Sequence, residues 1–151
     1  MAKILDVPFK FQKSENSCFP TCISMVLKYY GKNIRPELLY KEGRLPGNPY
    51  NWDAALAPFI IKKFIDNGRP VIATVRTDKF YKRGYYSTHL IVIVGYDSEG
   101  FYYHDPSPTS GGKWKKITYA HFKSSWWDLG DLSKRCMIII MPKNGLFITN
   151  P

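Results

Sequence analysis

The sequence predicts an α+β fold, with helices in its first half and an antiparallel sheet in its second. Residues 19–30 repeat apolar side chains at a helical spacing, whereas segments after residue 70 have the β-branched and aromatic composition of strands. The sequence Asp-Ser-Glu-Gly at 97–100 joins two of these segments and predicts a hairpin turn. With 151 residues and 44% hydrophobic side chains, the chain is expected to form one domain, residues 1–151, with its own core.

Residues 19–30 are predicted to form an amphipathic helix. Pro20 suits the first turn, where its missing N–H costs no hydrogen bond, and Gly31 suits the position just after the end. We expect Asn16 or Ser17 to cap the N-terminus. The apolar positions that repeat at the helical spacing are Ile23, Val26, Leu27 and Tyr30.

The remaining elements follow from local composition. Residues 36–42 are predicted to form a short helix that ends before Gly43, and 45–51 a loop. Residues 53–66 have helical periodicity that is expected to break or restart at Pro58. Strands are predicted at 71–76, 88–96, 101–105, 113–117 and 136–141, with a short helix at 119–125 capped by Thr118.

Net charge and hydropathy bear on the partners and the location that we expect for the protein. Lysine and arginine total 22 against 12 aspartate and glutamate, a formal net charge of +10, which favours an anionic partner. The basic residues are dispersed along the chain, so nucleic acid is not the favoured partner. No apolar segment is long enough to cross a bilayer, and Asp6 and Pro8 interrupt the start where a signal peptide would be apolar. These features predict a cytoplasmic location, although a signal removed earlier would leave no trace.

Two of the three cysteines, Cys18 and Cys22, lie four residues apart around the start of the predicted first helix. A redox pair is one interpretation, but C-x-x-x-C puts the sulfurs a full helical turn apart, a poor geometry for a disulfide. A zinc site lacks a second Cys/His pair, and we expect no metal or cofactor. Burial as small apolar residues suits Cys22, and also Cys136 in the strand-like run R-C-M-I-I-I-M.

Cys18 is the candidate nucleophile, because the first turn of a helix presents unpaired N–H groups that favour thiolate over thiol. Attack on a carbonyl also needs a donor for the developing oxyanion and a nearby base. Gln12, six residues upstream, is the candidate donor together with the Cys18 backbone N–H.

His89 is the candidate base among the three histidines. It opens the predicted strand 88–96, and the hairpin that follows brings Asp105 to the same end, where a carboxylate would fix the imidazole tautomer. His104 is next to Asp105 on one strand, where adjacent side chains point to opposite faces, and His121 is expected at the surface. A histidine at the start of a strand is more often structural, but the chain order Gln, Cys, His, Asp favours a catalytic set.

The segment Q-K-S-E-N-S-C-F-P-T-C-I-S-M-V-L-K-Y-Y-G at 12–31 resembles the nucleophile segment of the bacteriocin-processing, papain-like cysteine peptidases, which cleave double-glycine leaders. Members of that family read approximately Q-x5-C-G-P-[AT]-x3-M-V-L-x-Y-Y-G. The similarity continues in order from Val7 to about Trp126, and it is closest to the stand-alone branch, without a transporter. The later segments that carry it are N-G-R-P-V-I-A, T-H-L-I-V-I-V-G-Y-D, H-D-P and H-F-K-S-S-W.

The resemblance implies a papain-like fold, with N-terminal helices packed on a C-terminal antiparallel sheet and the nucleophile at the N-terminus of the first long helix. It implies a thiol hydrolase that cleaves a peptide or amide bond of a peptide or protein substrate through an acyl-enzyme intermediate. Cys18 is implied as nucleophile and His89 as general base and acid. Asp105 is implied to orient His89, and Gln12 to donate to the oxyanion.

One position departs from the family. Phe19 stands directly after the candidate nucleophile, where the family usually has glycine, and its ring would either narrow the cleft or pack beneath it. The alternatives to an active enzyme are a catalytically silent peptide-binding module of the same fold and, less favoured, a basic nucleic-acid-binding protein.

Overall fold

The computed structural model describes residues 1–42, 48–52, 57–82, 84, 86–126 and 135–141. Within these residues the chain forms helices and strands in the α+β order that the sequence predicts. In chain order they are β1 (Lys3–Ile4), α1 (Cys18–Tyr29), α2 (Pro36–Glu42), β2 (Asn48–Trp52), α3 (Ala57–Asp66), β3 (Val71–Arg76), α4 (Thr77–Phe80), β4 (Thr88–Tyr96), β5 (Gly100–Asp105), β6 (Gly112–Thr118), α5 (Tyr119–Ser125) and β7 (Arg135–Ile139).

Helix α1 confirms the helix predicted at 19–30 and begins one residue earlier. Gly31 follows its end with φ +82°, a left-handed conformation that glycine adopts without strain. The predicted side-chain cap is wrong. Ser17 occupies the N-cap position, but its hydroxyl donates to the Ser14 carbonyl at 2.8 Å and makes no capping hydrogen bond to the helix. The first N–H groups of α1 therefore remain free of a side-chain cap next to Cys18.

The strands form one antiparallel sheet in the order β2-β7-β3-β4-β5-β6, with β1 paired to β4. The hairpin predicted around 97–100 is confirmed, since the Asp97 N–H donates to the Gly100 carbonyl at 3.0 Å. In the register of β4 with β5, Val92 lies opposite His104. The continuation of this register puts Asp105 beside Ile91 and diagonal to His89 on the same face.

Three differences from the predicted elements concern connections between them. The predicted loop is wrong for 48–51, because β2 pairs with β7 at the edge of the sheet, where Pro49 is tolerated. Strand β1 and helix α4 were not predicted, because neither is long enough to show a periodic pattern. Residues 43, 45–47 and 53–56, on which parts of other predictions fall, lie outside the described residues.

Part of the core lies between α1 and the sheet, and α3 and α5 also contribute to it. The inner face of α1 and the central run of β4 are fully buried, and the Cys22 thiol donates to the Leu90 carbonyl at 3.4 Å across this contact. Because Cys18 lies one helical turn before Cys22, the same contact brings the start of α1 to the start of β4. Within the described ranges, no helix combines the length and apolar character needed to span a membrane.

Candidate active site

Cys18 is the first residue of α1, so its side chain lies at the positive end of the helix dipole. Its half-buried thiol interacts with the ring of His89 and with the backbone of Leu90 and Phe19. Burial is the largest single influence and raises the pKa of the thiol. The hydrogen bonds and the charge of His89 together outweigh burial and hold the pKa of Cys18 below its ordinary value of 9.0.

His89 is the second residue of β4 and is buried, with 7% of its surface exposed. Its Nε2 lies 2.8 Å from Oδ1 of Asp105, so Nδ1 is the ring nitrogen left for Cys18. Burial is the largest single influence and lowers the pKa of His89, but the hydrogen bonds and charges of Asp105 and Cys18 outweigh it and raise the pKa to about 9. The raised pKa of His89 and the lowered pKa of Cys18 both act in the direction of a thiolate–imidazolium pair.

Asp105 ends β5 and is completely buried. Its Oδ1 accepts hydrogen bonds from His89 and from the Ser107 backbone N–H, the latter at 2.9 Å. Its Oδ2 accepts from the hydroxyl of Tyr81 at 2.8 Å. Buried carboxylate oxygens need hydrogen-bond donors to replace water, and the three donors come from three different segments of the chain.

Gln12 reaches the same region from the segment before α1 and is 8% exposed. Its Nε2 donates to the carbonyls of Ser14 at 2.9 Å and Glu15 at 3.2 Å, and its backbone N–H donates to the Pro106 carbonyl at 2.8 Å. Its Oε1 is buried and has no hydrogen-bond partner within the described part of the chain. The Gln12 amide thus anchors the loop before α1, and an oxyanion would compete with two carbonyls for its N–H groups.

A cleft of about 570 Å³ opens beside His89 and Gln12. Its lining is rich in hydroxyl groups, which suit hydrogen bonding to a polar chain such as a peptide backbone. A second cavity of about 540 Å³ lies on the other side of the segment around Ser14, against Pro20 and Pro36. The hydroxyl-bearing residues of the first cleft are Ser14, Thr77, Tyr81, Ser87, Thr88, Ser107, Thr109 and Ser110.

Phe19 is half-buried and packs against the hydrophobic core. It is not among the residues that line either cavity beside the site. The ring therefore contributes to the packing of the protein interior.

The other two histidines lie apart from this group. His104 is fully buried, where its Nε2 contacts the Val7 carbonyl at 2.8 Å and its Nδ1 accepts from the Trp114 N–H at 3.1 Å. It makes no recorded hydrogen bond to Asp105 within the described residues, in agreement with the alternation of strand side chains. His121 lies on α5, half-exposed, with Nε2 2.9 Å from the Lys79 carbonyl.

Sequence reasoning missed two members of the group, Tyr81 and Ser107. Ser107 follows Asp105 by two residues and donates a hydrogen bond through its backbone N–H. Its residue type therefore does not indicate this contact in the sequence. Tyr81 follows a four-residue helix and is one of 11 tyrosines, and only the folded chain brings it to Asp105. The sequence-predicted residues Cys18, His89 and Asp105 are brought together, with Gln12 in the adjoining loop.

The helix-on-sheet architecture, with a cysteine at the start of the first long helix, is the papain-like α+β fold. The sequence model of the Peptidase_C39 like family matches residues 4–58 and 60–134. The chain belongs to this family. No curated protein matches the sequence.

Solved structures support the same fold. A putative C39-like peptidase from Bacillus anthracis has a TM-score of 0.70 at 16% identity, over 94% of this chain and 98% of that chain. The peptidase domain of Streptococcus ComA, a bifunctional ABC transporter of a quorum-sensing pathway, has a TM-score of 0.61 at 16% identity, over 88% and 97%. A double-glycine-motif protease from an AMS/PCAT transporter, in complex with its leader peptide, has a TM-score of 0.58 at 19% identity, over 90% and 92%.

Proposed function

We propose that this chain is a cysteine peptidase in which Cys18 is the nucleophile, His89 the general base and acid, and Asp105 the residue that orients His89. The observation that carries the proposal is the hydrogen bond between His89 Nε2 and Asp105 at 2.8 Å, which leaves Nδ1 for the Cys18 thiol at the start of α1. Membership of the C39-like family supports the same chemistry.

In the acylation step, the Cys18 thiolate attacks the carbonyl carbon of the scissile bond. A C–S bond forms while the carbonyl π electrons move to oxygen. The His89 imidazolium then gives its Nδ1 proton to the leaving amine, the C–N bond breaks, and a thioester remains on Cys18. Asp105 stabilises the imidazolium before this transfer and keeps the ring in the required tautomer.

In the deacylation step, neutral His89 takes a proton from water as the oxygen attacks the thioester. The C–S bond breaks, the acid product leaves, and the thiolate–imidazolium pair is restored without an external oxidant or reductant. The negative oxygen of both tetrahedral intermediates is stabilised by the Cys18 backbone N–H and the Gln12 amide. Gln12 donates by giving up one of its two contacts with the loop carbonyls.

The substrate is a peptide or protein segment. The C39-fold protease solved with a leader peptide supports this class of ligand, and the hydroxyl-lined cleft beside His89 supplies donors and acceptors for an extended backbone. The formal charge of +10 favours a peptide with acidic residues at the encounter stage.

The test is the rate of alkylation by iodoacetamide at pH 7, followed residue by residue by mass spectrometry. Cys18 is expected to react at least tenfold faster than Cys22, which is fully buried and whose pKa is raised well above the ordinary value, chiefly by burial. His89→Ala should remove the fast reaction and leave the circular dichroism spectrum unchanged. Equal, slow labelling of the two cysteines in the wild-type protein would refute the proposal.

Turnover separates an enzyme from a silent binding module. The protein is expected to cleave members of a peptide library, and Cys18→Ala should abolish cleavage while retaining binding. Binding without turnover, equal in wild type and Cys18→Ala, would instead identify a peptide-binding module. A salt titration against duplex DNA tests the nucleic-acid alternative, for which affinity would fall steeply as salt rises.

A further inference from the structure

The two carboxylate oxygens of Asp105 have different partners. Oδ1 accepts from His89 and from the Ser107 N–H, whereas Oδ2 accepts from the Tyr81 hydroxyl at 2.8 Å. Tyr81 is the only donor to Oδ2 recorded among the described residues. Because Asp105 is completely buried, losing this donor would leave a charged oxygen without a protein partner.

We propose that Tyr81 is a positioning residue of the candidate active site: its hydroxyl holds Oδ2 of Asp105, and so keeps Oδ1 directed at His89. The inference rests on the proposed function, because the orientation of His89 has a catalytic meaning only if Cys18 is the nucleophile. Tyr81 does not itself contact the scissile bond in this scheme, so it acts through Asp105.

The segment that carries Tyr81 is anchored at both ends. The Thr77 N–H donates to the Ser87 carbonyl at 2.9 Å, which closes the segment between β3 and β4. The Tyr81 N–H donates to the Thr77 carbonyl at 2.9 Å, and the neighbouring Phe80 is buried against Tyr103 with ring centroids 5.4 Å apart. The phenol is therefore presented to Asp105 by a fixed backbone, as positioning requires.

The surroundings of Tyr81 also fit a permanent donor. Burial first, and then the charge of Asp105, raise the pKa of the phenol well above its usual range, so the hydroxyl keeps its proton at neutral pH. Its ring lies 5.9 Å from the ring of His89. The titratable groups that face His89 are Cys18 from α1, Asp105 from β5 and Tyr81 from the segment after α4.

Tyr103 provides a matched control. It is a second buried tyrosine close enough to Asp105 for the carboxylate charge to raise its pKa, after the larger effect of burial. Its hydroxyl is not one of the recorded donors to Asp105 in the described part of the chain. Tyr81→Phe and Tyr103→Phe therefore remove the same atom near the same carboxylate, and only the first removes a hydrogen bond to it.

The experiment is an NMR titration of the His89 ring, using side-chain labelled histidine, in wild type and both variants. A core mutation that only loosens packing would reduce the burial of His89 and raise this pKa, so a lowered pKa distinguishes the loss of positioning from looser packing. Tyr81→Phe is expected to lower the pKa of His89 from about 9 toward 6.5 by at least one pH unit, because the freed carboxylate no longer holds Oδ1 against the ring. The alkylation rate of Cys18 at pH 7.5 should fall about tenfold in parallel.

The two proposals can fail separately. If Tyr81→Phe keeps the wild-type pKa of His89, matches Tyr103→Phe, or raises that pKa, then Tyr81 does not position Asp105, although fast labelling of wild-type Cys18 would still support the peptidase. If wild-type Cys18 reacts no faster than Cys22, the peptidase proposal fails, and the titration still decides whether Tyr81 holds the carboxylate. A lowered pKa in Tyr81→Phe alone supports the inference.

Discussion

The hydrogen bond between Asp105 and His89 can be tested by replacing one oxygen of the carboxylate with nitrogen. Asp105→Asn keeps the volume of the side chain and removes its charge. The rise in the pKa of His89 from 6.5 to about 9 corresponds to about 3 kcal/mol in favour of the imidazolium, at 1.36 kcal/mol for each pH unit. Asp105 provides the largest of the favourable contributions, while burial acts against the charged ring.

Without the carboxylate, burial remains and the largest support for the charge is lost, so that only Cys18 still favours the imidazolium. The pKa of His89 in Asp105→Asn is therefore expected at or below 6.5. At pH 7 the ring is then mostly neutral and the thiol loses the cation that favours thiolate. A difference of about 3 kcal/mol corresponds to roughly a 100-fold lower alkylation rate of Cys18.

The assay combines the pH profile of Cys18 alkylation with an NMR titration of His89. Asp66→Asn is the matched control, because it makes the same change in net charge at an exposed carboxylate that accepts from the Tyr96 hydroxyl at 2.7 Å. The control should keep the wild-type profile. If Asp105→Asn folds and its His89 still titrates near 9, the carboxylate is not what supports the imidazolium, and the reasoning is wrong.

Two further predictions concern the oxyanion and the pH dependence of stability. Gln12→Ala should lower the rate of peptide turnover by a factor of roughly 10²–10³. It should change the iodoacetamide labelling of Cys18 little, because alkylation develops no oxyanion. An equal loss in both assays would contradict the role of Gln12 as oxyanion donor. A Cys18→Ala background removes the titration of the thiol and its share of the support for the imidazolium. The rise in the pKa of His89 that Asp105 alone maintains should stabilise the fold fully below pH 6.5, and this contribution should be lost as the pH rises through the folded-state pKa. The measurement is urea unfolding between pH 6 and 10 of Cys18→Ala and of the double variant that also carries Asp105→Asn. The difference in the free energy of unfolding, in favour of Cys18→Ala, should shrink as the pH rises. A difference that grows with pH would contradict the prediction.

Helix α1 shows what the local sequence contributes. Its apolar spacing, Pro20 in the first turn and Gly31 after the end predict its bounds to within one residue, because helix periodicity and termination depend on neighbouring residues. The strands β3 and β4 coincide with the predicted 71–76 and 88–96 for a related reason, since their β-branched runs are bounded by turn residues. The cap is the exception, because Ser17 bonds to Ser14 instead.

The candidate site also contains features that the sequence predicts and features that it does not. Cys18 at a helix start is predictable from the local pattern, and the turn at 97–100 brings His89 and Asp105 to the same end of the sheet. That the two share a face is not predictable from the turn, because a one-residue register shift between Ile93 and Gly95 decides it. The two contacts of the Gln12 amide are not predictable either, since they depend on the path of the loop before α1.

The sequence by itself determined the order of the elements, the helix that presents Cys18 and the hairpin that brings His89 and Asp105 to one end of the sheet, since each depends on side-chain periodicity and turn residues close together in the chain. Only the tertiary structure decided that β2 extends the edge of the sheet, that Phe19 packs against the core and that Tyr81 bonds to Asp105, 24 positions away. These contacts join segments that are distant in the sequence, and the residue pattern of one segment does not predict its contact with the other. They form because the folded core fixes the distance and direction between them, and no local propensity carries that information.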